Sequence, residues 1–148
     1  MHSARPVPAR KPACTCLRIR KASRRVTQIY DQQLEAYGLT ITQYGLLGHL
    51  KALDGISIGA LAEALVMDST TLTRTLKPLE TKGWVASNAD ARDARSRRLH
   101  LTATGLAAYS AAHPAWASAQ QQIATAMGAK NLARLTETID LLLDRLAE

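Results

Sequence analysis

The chain reads as a mainly α fold with a small β-wing, on three observations. Its 148 residues are 47% hydrophobic, yet Phe is absent and only two Trp and four Tyr occur, so Leu and Ala carry the packing. That composition suits helices better than a sheet sandwich. Apolar residues recur at helical spacing in several segments bounded by capping residues and glycines. Between two of these segments lies a single Arg-rich stretch, Asn88 to Arg98, flanked by short runs of strand character. The length fits one domain with a moderate core.

From about Cys16 to Tyr37, apolar residues fall at Ile19, Ala22, Val26, Ile29, Tyr30 and Tyr37, approximating a helix that Gly38 can stop. Thr40 or Thr42 caps a second helix with Tyr44, Leu46, Leu47 and Leu50 inward. The Asp54-Gly55 pair marks a turn, and Ser57 then caps a short helix containing Leu61, Ala62 and Leu65. Asp68 caps the next helix, which runs through Lys82 and buries Leu72, Leu76 and Leu79. Pro78 is expected to kink or shorten it.

Gly83 ends that helix and Trp84-Val85 opens a strand; Leu99 and Leu101, alternating with His100, form the return strand of a half-buried hairpin. Two strands this short must pack on helices. Thr102 or Thr104 caps a long helix to about Met127, apolar at Leu106, Tyr109, Trp116, Ile123 and Met127, with a kink or break expected at Pro114. Gly128 separates a last helix, in which Leu132, Leu135, Ile139, Leu142 and Leu146 keep the three-four spacing of a bundle or intermolecular seam. So short a seam suits a larger helical dimer interface better than a free coiled coil.

Nineteen Lys and Arg against twelve Asp and Glu give a net charge of +7, which favours a polyanionic partner. Residues 1–15 read as a flexible basic arm; residues 1–25 carry Arg5, Arg10, Lys11, Arg18, Arg20, Lys21, Arg24 and Arg25 without an acid. Such an arm can touch phosphates or remain a solvated tail. The Asp68-capped helix presents Ser69, Thr70, Thr71, Thr73, Arg74 and Lys77, groups suited to phosphates and base edges. The hairpin after it carries Asp90, Arg92, Asp93, Arg95, Arg97 and Arg98. A helix for the major groove followed by a basic wing for the minor groove is a DNA-reading arrangement.

Other classes fit less well. No apolar stretch is long enough to span a membrane and none follows the basic start as a signal peptide requires, so cytoplasm and no membrane partner are expected. Cys14 and Cys16, one residue apart, are poorly placed for an internal disulfide, and two ligands alone complete no zinc site. Gly55 and Gly59 make no nucleotide-binding loop. With no grouped acids or inferable triad, no enzyme, cofactor or metal is expected. The competing reading is a non-specific architectural DNA-binding protein, which shares the charge and the helices. A purely structural interaction protein leaves the basic wing unexplained.

The order of elements and three stretches carry a resemblance: "LTITQYGLLGHL" at 39–50, "ISIGALAEALVMDSTTLTRTLKPLETKGWV" at 56–85 and "DARDARSRRLHLTATG" at 90–105. Over residues 16–148 the chain resembles the MarR family of winged helix-turn-helix regulators. Asp93-x-Arg95 followed by Leu101-Thr102-x-x-Gly105 matches that family's wing. The resemblance implies a homodimer whose terminal helices, about 16–37 and 103–148, intertwine. It also implies a DNA-binding lobe, about 40–102, and a pseudo-palindromic double-stranded operator read in successive major grooves. Ser69, Thr70, Thr71, Thr73 and Arg74 match the exposed recognition helix, and Arg95 the wing arginine of the minor groove, with Asp93 placed to orient it. Arg97 and Arg98 then serve phosphates or fold stability.

By the same resemblance the chain is a sequence-specific regulator, usually a repressor. A small phenolic or aromatic effector between the dimerisation and DNA-binding regions would release it from DNA. Tyr30, Tyr37, Tyr44, His49 and Trp84 are candidates to line that cleft, each equally readable as core, while His113 and Trp116 read as structural. Cysteine oxidation is a second release route. Cys16, fourteen residues before Tyr30, is similar to the sensor cysteine of the family's peroxide-sensing branch, which a partner subunit's tyrosine approaches. A helix N-terminus and nearby Arg18, Arg20 and Lys21 favour a thiolate there, and Cys14 can resolve an oxidised Cys16 of the other subunit. Arg20 stands where that branch has a further tyrosine, and a small apolar cysteine on a buried helix is the alternative.

Overall fold

The computed structural model describes residues 14–93 and 95–147. Residues 1–13, most of the expected basic arm, lie outside the described residues.

Helix α1 (Thr15–Leu34) begins directly after Cys14 and closes in one 3-10 turn, Glu35–Tyr37. Gly38 ends that turn at φ 68°, a left-handed conformation that costs a residue with a Cβ and that glycine adopts freely. The expected helix to Tyr37 therefore tightens over its last turn. Helix α2 (Ile41–Ala52) starts with a capping box, in which the Gln43 amide N–H donates to Thr40 Oγ1 and the Thr40 amide N–H to Gln43 Oε1. Asp31 of α1 accepts from the Ile41 N–H at 2.8 Å, fixing the angle at which α2 leaves α1.

Strand β1 (Ile56–Ser57) leads into α3 (Ile58–Ala64), capped by Ser57, and then α4 (Ser69–Thr81), capped by Asp68. Between the two helices the Val66 N–H donates to Glu63 O and the Met67 N–H to Ala62 O, with Val66 at φ 51°. This is a Schellman closure with a β-branched residue where glycine is usual, a strain of about 1–2 kcal/mol.

Strands β2 (Val85–Ala89) and β3 (Arg97–Leu101) form the expected hairpin. The sheet has three strands rather than two, in the order β1-β3-β2, because Ile56 and Ser57 pair antiparallel with Leu99 and Arg98. Helix α5 (Ala103–Met127), capped by Thr102, and helix α6 (Ala129–Arg145) complete the chain.

Both helices run on through their prolines, without the shortening expected at Pro78 or the break expected at Pro114. Pro78 and Pro114 both sit on exposed faces. Each leaves one carbonyl a turn earlier, at Arg74 and Ser110, without its helical donor, and these exposed residues let water take that place.

The core is a leucine cluster. Leu34, Leu46, Leu47, Leu50, Leu61, Leu72, Leu76, Leu79 and Leu99 are all fully buried, so α1, α2, α3, α4 and β3 share one interior. Ala112, Ala115 and Ala119 bring α5 close, and the Tyr30 hydroxyl of α1 bonds to Gln120 of α5. Helix α6 buries no residue; Leu135, Ile139, Leu141, Leu143 and Leu146 are exposed, as are Leu17, Ile19 and Val26 of α1. These apolar faces are left uncovered within a single chain. No helix among the described residues is long and apolar enough to cross a membrane.

Candidate nucleic-acid interface

The buried stripe of Leu72, Leu76 and Leu79 anchors α4 and turns its other face outward, so that Ser69, Thr70, Thr71, Thr73, Arg74 and Lys77 are all exposed. Ser69, Thr70, Thr73, Arg74 and Lys77 border a shallow depression of about 460 Å³. Some of the hydroxyl protons are already committed. Thr71 donates to Asp68 Oδ2 at 2.6 Å and Thr73 to the Ser69 carbonyl at 2.8 Å. Their outward oxygens therefore offer lone pairs, suited to amino groups of cytosine or adenine, while Arg74 and Lys77 supply the donors.

Asp68 fixes where this helix starts, accepting the Thr71 N–H at 2.8 Å as well as its hydroxyl. Those side-chain and backbone bonds from Thr71 hold its carboxyl below the ordinary value of 3.8. A lowered folded pKa gives stability that is complete above 3.8 and is lost as pH falls through the folded value. In wild type the thermal midpoint is accordingly expected to fall more steeply from about pH 5 to about pH 2.5 than in Asp68→Asn, which keeps a cap without a titrating group. Equal slopes in a pH series of melting curves would show that ionisation of Asp68 does not contribute to stability.

The hairpin residues divide into a brace and a tip. Asp90 Oδ2 accepts from Nε and Nη2 of Arg98 at 3.0 and 2.8 Å, and Arg98 Nη1 donates to the Gly55 carbonyl at 3.2 Å. Of the two sequence readings of Arg98, phosphate contact and fold stability, this geometry supports the second. Backbone donation from Arg92, then the Arg98 guanidinium, holds the Asp90 carboxyl low. Arg97 spans the hairpin to Ser87 Oγ through Nε and Nη2 at 3.2 and 2.8 Å.

Arg92 and Arg95 are exposed nearer the tip. Asp93 shapes that tip by accepting the Arg95 backbone N–H at 3.0 Å, so it positions the exposed Arg95 through the turn. Arg95, Arg97, Asp93 and Ser96 face Ile58 and Gly59 of α3 across a depression of about 370 Å³.

A separate aromatic cavity of about 370 Å³ lies between α2 and α5. Its α2 wall is Tyr44, Gly45, Gly48, His49 and Ala52; its α5 wall is Tyr109, His113 and Trp116. Tyr44 stacks on Tyr109 at 4.7 Å, and its hydroxyl lies 3.1 Å from His113 Nδ1. Burial, then the neighbouring Tyr109, pushes the Tyr44 hydroxyl above its ordinary pKa, so it stays protonated. His49 Nδ1 lies 2.7 Å from the Gly45 carbonyl, which can only accept. That bond puts a proton on Nδ1 and leaves Nε2 as the ring nitrogen free of this contact.

Of the residues expected to line an effector cleft, Tyr44 and His49 line this cavity, whereas Tyr30, Tyr37 and Trp84 lie elsewhere. Tyr30 packs on α5 through Gln120, Tyr37 is exposed, and Trp84 lies under the Lys82 ammonium. Tyr109, His113 and Trp116 replace them; their i, i+4, i+7 spacing was the available signal, and it is also the spacing of simple packing.

Cys14 and Cys16 are both exposed within the single chain. Within one chain, fourteen helical residues, about 21 Å, separate Cys16 from Tyr30. Among the described residues no three His, Cys, Asp or Glu side chains gather as a metal site would need.

A family profile described as MarR family matches residues 37–96. The chain is 33% identical over 90 residues to the HTH-type transcriptional regulator SarZ of Staphylococcus epidermidis, a match covering 61% of each chain. It thus spans less than two thirds of the length of the curated relatives it matches. Its fold is similar to that of the M. tuberculosis transcriptional regulator MOSR, crystallised with DNA. That likeness has a TM-score of 0.72 at 32% identity and covers 88% of this chain and 98% of MOSR. Similarity to S. aureus MepR, also in a DNA complex, has a TM-score of 0.77 at 25% identity over 90% of this chain and 99% of MepR.

Proposed function

The chain belongs to the MarR family of winged helix-turn-helix regulators, and from that membership we propose that it is a sequence-specific DNA-binding transcriptional regulator, a homodimeric repressor acting in the cytoplasm. The observation that carries this reading is the exposed face of α4 from Ser69 to Lys77 beside a wing whose Arg92 and Arg95 point outward. Two solved relatives with this fold are DNA complexes. A second copy covering the apolar faces of α1 and α6 would set two recognition helices against successive major grooves of a pseudo-palindromic duplex. Lys77, Arg92 and Arg97 serve phosphates, Arg95 the minor groove, and the hydroxyls with Arg74 the base edges.

The α2–α5 cavity is the effector site of this reading. Its Tyr44, Tyr109 and Trp116 rings suit a small planar aromatic ligand, and His49 Nε2 suits a phenolic proton. One wall belongs to the DNA-binding lobe and the other to a dimerisation helix, so an occupant that favours one spacing of the two shifts DNA affinity. Exposure of Cys14 and Cys16 favours oxidation as a second release route. Peroxide would take Cys16 to the sulfenic acid, and a partner's thiol would displace water to form the disulfide.

The test is an anisotropy titration of reduced protein against duplex from upstream of its gene and a scrambled duplex at one salt concentration. A large preference for the upstream duplex is expected; equal affinity would favour the architectural alternative. In the same assay Arg95→Ala is expected to cost about 1 kcal/mol or more of binding while the thermal midpoint stays at the wild-type value. Unchanged affinity would remove Arg95 from the interface.

A further inference from the structure

Lys82 follows α4 directly and does not border the depression on its outer face. Its ammonium donates to the Gly38 carbonyl at 2.6 Å and lies 4.5 Å from the centroid of the Trp84 ring. Gly38 is the left-handed corner at which α1 and its 3-10 turn hand over to α2. One side chain therefore joins the C-terminal end of the recognition helix to the C-terminal end of the first dimerisation helix, 44 residues away in sequence. A Cβ at position 38 would come within 3.1 Å of Lys82 Nζ, so glycine serves this corner twice, by its φ and by the space it leaves. Both partners of the ammonium are neutral, a carbonyl oxygen and a π face, and they hold it without cancelling its charge.

We propose that Lys82 is a positioning residue, a strap that sets the angle of the recognition helix relative to the dimerisation helices. The proposal rests on the dimeric DNA-binding reading above. In such a dimer two recognition helices must meet half-sites about 34 Å apart, so a small rotation at each lobe misplaces both. Without the strap each lobe still binds its own half-site, but the two engage together less often, and the gain from bivalent binding falls. A lysine that merely touched a phosphate would behave differently: its loss would weaken every duplex and flatten the salt dependence.

The test compares wild type, Lys82→Met and Lys82→Arg across a potassium chloride series. One duplex carries both half-sites, and the other has one half-site scrambled. Lys82→Met keeps the apolar stem over Trp84 and removes the donor, whereas Lys82→Arg keeps a cation that can bond and stack. The expected result for Lys82→Met is about tenfold weaker binding to the full duplex, near-wild-type binding to the half-site duplex and an unchanged salt slope. Lys82→Arg should restore most of the loss, and both variants should keep the wild-type thermal midpoint. Equal loss on both duplexes with a salt slope smaller by about one would overturn the strap in favour of a phosphate contact. Wild-type affinity of Lys82→Met on both duplexes, or a melting midpoint that falls with affinity, would also overturn it. If wild type itself shows no preference for either duplex over scrambled DNA, the regulator reading fails first and the strap with it.

Discussion

Replacing Arg74 by Ala is expected to weaken binding to the preferred duplex by about 1–3 kcal/mol, roughly 5- to 150-fold, and to relax base preference at one position per half-site. Arg74 lies in the second turn of α4, exposed beside Thr70, Thr73 and Lys77 around the depression on the outer face. A guanidinium there can present two parallel donors to the O6 and N7 acceptors of guanine, which no hydroxyl on this face can do. Thr71 and Thr73, their protons already given to Asp68 and Ser69, supply complementary acceptors.

The measurement is a panel of single-base-pair variants of the duplex, titrated with wild type and variant at one salt concentration. Loss of discrimination confined to one base pair assigns Arg74 to base reading. A uniform loss across the panel with a shallower salt slope would make it a phosphate contact, the behaviour expected of Lys77.

Gly105→Ala is expected to produce the largest loss of stability of any glycine substitution on the described chain, about 3 kcal/mol, seen as a fall of roughly 10 °C in the thermal midpoint. A Cβ at position 105 would lie 2.1 Å from the Trp84 carbonyl oxygen and 2.8 Å from Leu101 Cδ1. The obstacle is backbone, and it is held in place. The Thr102 N–H donates to the Trp84 carbonyl, and the Thr102 and Thr104 hydroxyls both donate to the Gly83 carbonyl, at 2.7 and 3.1 Å. Admitting a methyl means lifting the start of α5 off the corner between α4 and β2 and breaking those bonds. Gly48→Ala is the informative contrast: its Cβ would meet the Tyr109 ring at 3.3 Å, a side chain that can turn aside. A Gly105→Ala protein that melts with wild type would show that α5 sits further from the corner.

Legibility of the fold followed the range of the interactions. The caps at Ser57 and Asp68 were readable because a cap is a contact over three residues, and the structure chooses Thr40 over Thr42 and Thr102 over Thr104. The Leu72, Leu76, Leu79 stripe was readable because helical periodicity exposes it directly. Strand β1 was not, since two residues hold no alternation and its partners lie more than forty positions ahead. That Pro78 and Pro114 would not end their helices was not readable, because the cost of a proline depends on whether water reaches the orphaned carbonyl. The family resemblance separated Arg95 from Arg98 but left Arg98 between phosphate contact and fold stability, and the placement of Asp90 and Gly55 around it supports the brace. The α5 wall of the aromatic cavity was hidden for a similar reason: Trp116 spaced for packing and Trp116 spaced for a ligand are the same residue until α2 is in place.

The uncovered leucines of α6 bear on dosage. In the proposed homodimer, where a second copy covers Leu135 and Ile139, the chain acts as a regulator only where two chains meet. When dilute, the number of such pairs rises with the square of chain abundance, so halving expression removes about three quarters of them. A repressor of this kind would answer a modest fall in its own supply as a threshold, before any small molecule has arrived.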